Sequence, residues 1–204
     1  MRGDSERANT YAKESFDYMI SMSGQPDHWQ RNQFYCESMP LQAEGKFALI
    51  QKRLEPALEL SGQPVKRGTM AHEHIVYMML VDSAAMAGDE AAIRKYAPLL
   101  QALAEQDDHR PYLAISQRAW GIAHRIAGEY AEAEECLKVA LRLFGELDTR
   151  WQIGRTLFEM GELESARSNT ELAEDYFTQA LGAFESLEAS PDIIRTRAAV
   201  MQLA

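Results

Sequence analysis

His72 and His74 form the one close histidine pair in the chain, and a metal ion is what such a pair could hold. On a helix, residues two apart point roughly 200° from each other, so one ion cannot readily draw on both. They read as ordinary helix-start residues. Asp107-Asp108-His109 sets two carboxylates beside an imidazole, but between two helical stretches, where a polar turn capping the helix at Pro111 accounts for it. Glu159 and Glu162 stand three apart on one helix face, a spacing that acid/base work on a glycoside could use. No aromatic sugar platform lies near them and many other acids surround them. Cys136 falls inside an Ala133–Ala140 packing stripe, where a small thiol is expected as filler rather than as a nucleophile. Arg2-Gly3-Asp4 matches a cell-adhesion tripeptide, but three residues carry little specificity. The expectation is a protein without catalysis, metal or cofactor.

The elements that would position these residues are helical. Of 204 residues, 29 are Ala and 20 Leu, against 5 Val and 10 Ile, so strong helix formers dominate and the β-branched residues of a sheet are scarce. Apolar spacing predicts helices near Ser5–Met22, Asp27–Glu44, Phe47–Leu60, Thr69–Ala87, Asp89–Ala104, Pro111–Ala127, Tyr130–Leu147, Arg150–Arg167 and Thr170–Leu187, with a tenth starting near Asp192. Pro56 and Pro98 fall inside two of these and should kink them or mark an earlier break.

The chain also repeats itself. At an offset of 40 residues Ala133-Glu134 matches Ala173-Glu174, Ala140-Leu141 matches Ala180-Leu181, Phe144 matches Phe184, Leu147 matches Leu187, and Arg155-Thr156 matches Arg195-Thr196. Gly45-Lys46-Phe47, Gly88-Asp89-Glu90, Gly128-Glu129-Tyr130 and Ser168-Asn169-Thr170 punctuate the chain at nearly the same interval, between helical stretches. Ser-Gly-Gln-Pro at 23–26 and 61–64 reads as helix termination.

Net charge is −10, concentrated in residues 129–188, which carry 14 acids against 5 bases. Such a surface repels a phosphate backbone, so no direct nucleic-acid binding is expected. The longest apolar run, Ile75–Val81, is far short of the ~20 residues of a membrane span. No apolar leader follows Met1–Arg7, and Cys36 and Cys136 have no near partners, as in a reducing compartment. A soluble, cytoplasmic protein is the expectation.

Trp120-Gly121, Gly128-Glu129-Tyr130, Ala133, Leu137 and Ala140, followed one unit later by Gly161, Ser168-Asn169-Thr170, Ala173, Phe177 and Ala180, resemble the tetratricopeptide repeat. The resemblance is good over 111–187, fair over 69–104 and weak before. His124 and Glu164 stand where that family usually has an aromatic residue. The 40-residue period exceeds the family's roughly 34 and is similar to the longer variety in C-terminal regions of bacterial ATP-dependent regulators and ATPase-linked cyclases. The resemblance implies an all-α, right-handed superhelical solenoid of nine to ten antiparallel helices over 1–204. Its helix pairs would be 27–60, 69–104, 111–147 and 150–187, with an N-terminal helix at 1–22 and a further repeat starting at 192–204. It implies a non-catalytic scaffold of a regulatory or signalling protein that binds a peptide. The alternative is a small-molecule sensor controlling oligomerisation of a transcription regulator. No Gly-x-x-x-x-Gly-Lys-Ser/Thr occurs in the chain, so an ATPase would lie elsewhere.

Carried onto this sequence, the family's concave wall holds Asn32, Tyr35, Met39, Ile75, Met78, Asp82, Ile115, Arg118, Ile122, Arg125, Arg155, Phe158, Glu162 and Arg195. The expectation is a peptide groove with a basic middle, in which Arg118 and Arg125 take an acidic segment and tolerate charge reversal without unfolding. The uncharged run Ala198–Ala204 is expected to be covered, by a continuation of the array or by a second copy closing a homodimer through residues 170–204, over Val200, Met201 and Leu203.

Overall fold

Good helix formers interrupted at fixed intervals give, among the described residues of the computed structural model, ten α-helices: α1 Ser5–Ser23, α2 Gln30–Ala43, α3 Phe47–Glu59, α4 His72–Ala87, α5 Glu90–Gln106, α6 Arg110–Ile126, α7 Tyr130–Glu146, α8 Arg150–Ala166, α9 Thr170–Ser186 and α10 Ser190–Leu203. The structure describes residues 4–23, 30–59 and 72–203. Among these there is no strand. The second Ser-Gly-Gln-Pro and the residues around the first lie outside the described ones, as do the side chains of His72 and His74.

From α5 onward the geometry is regular. Helices α5 to α9 are each 17 residues long. Successive helices begin 20 residues apart, half the repeat seen in the sequence. Each turn from α4 to α10 has one residue in the left-handed region: Gly88 in the two-residue α4–α5 turn, and Asp108, Gly128, Asp148, Ser168 and Glu188 in the middle of the three-residue turns that follow. Three of the six, Gly88, Gly128 and Ser168, repeat as punctuation in the sequence, beyond the polar turn expected at Asp107–His109. The others hold Asp or Glu at φ near 50°, a conformation L-residues resist, because two hydrogen bonds impose it. At the α5–α6 turn, His109 N–H donates to the Ala104 carbonyl at 2.8 Å, and Asp108 N–H reaches Glu105. The six-to-one bond recurs as Glu129 to His124, Thr149 to Phe144, Asn169 to Glu164 and Ala189 to Phe184, each a helix end closed on itself. His109 is the N-cap of α6, its Nδ1 accepting from the Tyr112 N–H at 3.3 Å. The Asp-Asp-His run is therefore a capping turn.

The even helices α2, α4, α6, α8 and α10 pack successively on one another as an inner wall. Helices α3, α5, α7 and α9 lie outside, each between two inner helices, and meet one another only through long side chains such as Lys95 and Tyr96 of α5 on Glu55 of α3 and Tyr176 of α9 against α7. Inner and outer helices approach closely where the inner one lacks a side chain. A Cβ on Gly121 would lie 2.5 Å from Leu137, and one on Gly161 2.6 Å from the Phe177 ring. Pro98 does not end α5. It sits on the exposed face of a continuous helix, where water can serve the carbonyl whose N–H partner is missing. Pro40 also lies inside a continuous helix, α2, but on its buried side. No helix among the described residues is long and apolar enough to cross a membrane.

Candidate functional site

Residues that the repeat places on the inner wall are forced towards one another by the packing of α4, α6, α8 and α10. A charge held there must find a partner or forfeit several kcal/mol, and each one does. Asp82 of α4 is the hub. Arg155 of α8 grips its carboxylate with both terminal nitrogens, at 2.9 and 3.0 Å, and Arg118 of α6 adds a third contact at 3.0 Å. Gln42 of α2 donates to the same carboxylate at 3.2 Å, and Arg118 turns its other terminal nitrogen to Gln152 at 2.6 Å. One carboxylate thus ties four inner helices.

One turn along the wall, Glu159 of α8 plays the same part for Arg125 of α6 at 3.3 Å and Arg195 of α10 at 2.9 Å. Glu162 stands 3.8 Å from Arg125. Three guanidiniums also lie on aromatic faces: Arg118 on Phe144, Arg155 on Trp151, and Arg195 on Phe158 at 3.8 Å. Trp151 in turn donates its indole N–H to Asp192 at 2.9 Å.

The structure overturns the idea of a free basic channel. Arg118 and Arg155 are only 1% and 5% exposed, Arg155 bonded to Asp82 and Arg118 to Asp82 and Gln152. Along the wall, four guanidiniums face the carboxylates of Asp82, Glu159, Glu162 and Asp192, so the middle is neutral. Ile122 and Phe158 are buried, Phe158 against Phe177, and Met78 is half-buried against the core around α4. Tyr35 lies in α2 with its side chain outside the described ones. What reaches solvent is the mouth: Arg125 at 19% and Arg195 at 37% exposure, with Glu162 between them. A charge reversal at Arg118 would strike the core rather than a ligand.

Sequence reasoning missed Gln42, Gln152 and Met86, whose sulfur meets Arg195 at 3.5 Å. Gln42 and Asp82 are 40 residues apart and so occupy equivalent inner positions. That was the available signal. Glu164, at the family's aromatic position, is buried and held by Arg167 at 2.8 Å and Asn169 at 2.7 Å. Arg167 also reaches Glu134 and the Tyr130 carbonyl, each at 2.8 Å, so a polar clamp between α7 and α8 replaces ring packing. Glu159 and Glu162 both belong to the charge ladder, facing Arg125 and Arg195. Burial raises the thiols of Cys36 and Cys136, which suits inert filling.

The electrostatics give two opposed acid responses. Burial alone would raise the Asp82 carboxyl, yet Arg155 and Arg118 hold it below the ordinary aspartate range. Its stabilisation is present above about pH 4 and is lost as pH falls through the lowered value. Glu162 is raised, by burial first and then by Glu159. The folded state therefore takes up its proton more readily than the unfolded chain, and its ionisation costs stability at neutral pH. We expect Glu162→Gln to raise the urea midpoint at pH 7 and the gain to vanish towards pH 4. A gain that persists in acid would show that the Glu162 charge is not its source. Burial and the neighbouring Arg155 push Arg118 down to about 9, so it stays charged at neutral pH.

Compared with known proteins, residues 112–186 match the family model described as "Tetratricopeptide repeat". No curated protein matches the chain. A solved structure similar to it is the crystal structure of BtubC (BKLC) from P. vanneervenii, at 15% identity and a TM-score of 0.64, with 98% of this chain and 83% of that one covered. That likeness concerns the fold alone. With the regular turns and the inner and outer helix layers, these findings establish that the chain is an all-helical solenoid carrying a tetratricopeptide-type repeat over residues 112–186.

Proposed function

We propose that this chain is a non-catalytic docking scaffold of a bacterial regulatory or signalling protein, which holds a peptide segment of a protein partner along the mouth of its inner wall. The repeat type generally mediates protein–protein interaction. The observation that carries the reading is the placement of Arg125, Glu162 and Arg195 at the solvent edge of a wall whose deeper charges are already paired. A carboxylate of the partner would displace Glu162 from Arg125 and meet Arg195, while Asp82, Arg118 and Arg155 keep the wall rigid.

The test uses a panel of fluorescent acidic peptides with interspersed aromatic residues. We expect salt-sensitive binding, and Arg125→Gln with Arg195→Gln, which also lowers the melting temperature by unpairing Glu159, to weaken it by about tenfold or more at a temperature where circular dichroism shows the variant folded, the loss of two charge-assisted contacts. Peptides that bind the double variant as tightly as the parent would overturn the reading. The small-molecule alternative draws on a cavity of about 340 Å³ between α1, α2 and α3, lined by Lys13, Phe16, Cys36 and Arg53. A ligand there would shield Cys36 from alkylation, whereas a peptide at the mouth would leave its rate unchanged.

A further inference from the structure

The first and last described helices, α1 and α10, each carry an apolar stripe that no described residue covers. On α10 the exposed residues include Pro191, Ile194, Ala198 and Met201, with Ile194 70% and Met201 78% exposed. Val200 and Leu203 are partly buried against the α9 core, so the open face is centred one turn away from where the sequence pointed. On α1, the stripe is Tyr11, Tyr18 and Met22, all exposed.

The register says what these stripes fit. Inside the array, an outer helix presents a pair of bulky residues seven apart to a pair seven apart on the inner helix before it. Phe177 and Phe184 of α9 sit on Gly161 and Gly154 of α8, with the helices antiparallel. The 40-residue offset carries Gly154 and Gly161 to Ile194 and Met201 of α10. Helix α10 is therefore an inner helix with the seat for an outer helix facing solvent. Helix α1 packs on α2 alone, in the manner of an outer helix, and offers Tyr11 and Tyr18, again seven apart, on its free side. The missing glycines hold the visitor further off, and tyrosine and methionine suit an interface more than an interior.

Charge supports the same pairing. If α1 lies antiparallel on α10, with Tyr18 level with Ile194 and Tyr11 level with Met201, Glu14 and Arg197 fall midway on the same flank. Arg197 is exposed and bound at 2.8 Å to the equally accessible Glu185, so it can accept a second carboxylate.

From these faces, we infer that copies of this chain stack head to tail, α1 of one on α10 of the next, continuing the solenoid between molecules. This goes beyond the docking reading and does not depend on it. Such a contact uses two different surfaces, so it propagates instead of closing at a dimer.

Sedimentation of the full chain between about 1 and about 100 μM, the range of small interfaces, tests it. We expect the average mass to climb with concentration past that of a dimer. Two exposed-face variants, Tyr11→Asp with Tyr18→Asp and Ile194→Asp with Met201→Asp, should each sediment as monomers with unaltered helical circular dichroism. Mixed, they should form one-to-one dimers and nothing larger, because each retains the face the other lacks. Glu14→Arg should weaken assembly about tenfold and Arg197→Glu in the same chain should restore it. A parent that stays monomeric throughout overturns the proposal, as does a dimer lost only with the α10 variant, which would mean symmetric α10 pairing. A variant pair that fails to complement overturns it as well.

Discussion

Asp82→Ala should cost about 3–5 kcal/mol of folding stability, since it strands two guanidiniums side by side in the interior. Arg155 loses both of its contacts of 2.9 and 3.0 Å, and Arg118 keeps only Gln152. A hub that merely decorated the surface would give well under 1 kcal/mol. Urea unfolding of the full chain reads the difference. The same logic predicts a rescue. Adding Arg118→Met and Arg155→Leu to Asp82→Ala removes the stranded charges along with their partner. The triple variant should recover most of the lost midpoint, because apolar groups of similar volume replace a buried ionic cluster at little cost. If the triple variant is weaker than Asp82→Ala, the cluster contributes net stability and the argument fails. The acidic peptides bound at the mouth should still bind the rescued protein.

Gly161→Leu should be about as damaging, near 3 kcal/mol, for the opposite reason. A Cβ at 161 would already meet three atoms of the Phe177 ring at 2.6 to 3.0 Å. Phe177 is itself buried against Phe158 and cannot step aside. Overpacking then forces α8 and α9 apart, and the cost of such insertions runs from about 1 to 3 kcal/mol, more for a whole side chain. Phe177→Ala in the same chain should return part of the loss. Gly145→Ala supplies the control. Nothing lies within 4 Å of its Cβ position, so the helix propensity of alanine should raise stability by about 0.5–1 kcal/mol. A neutral Gly161→Leu would mean that α8 and α9 are not in register as described.

These two positions show how far the sequence could be read. Gly161 was legible: its place in the repeat marks it as a contact point, and the facing Phe177 falls at the matching place in the next helix. The turns at Gly88, Gly128 and Ser168 were legible for the same reason. The turn at Asp107–His109 was legible from its polar run, but the left-handed backbone at Asp108, Asp148 and Glu188 was not, because nothing in an Asp or Glu advertises a conformation that two helix-closing hydrogen bonds impose. Arg118 and Arg155 were placed on the correct wall but given the wrong work. Their burial depends on how tightly the inner helices gather, which brings Asp82 within reach of a residue 73 positions later. Local periodicity carries no information about that distance. Ile194 was overlooked because the run after Ala198 drew attention to its lack of charge, whereas the exposed face is set by where α9 covers α10.

The Asp82–Arg155 and Met86–Arg195 contacts have a consequence for cooperativity. A linear array whose units touch only their neighbours melts piecemeal, each unit contributing its own stability and one interface term. Here α4 is bonded to α8 and touches α10, skipping the helices between. Residues 72–203 are thereby stapled across their inner side, so that releasing the last repeat requires undoing bonds made by the first helix of the segment. The segment should therefore lose its amide protection against hydrogen exchange as a block, while α1, joined to the rest through α2 alone, exchanges independently.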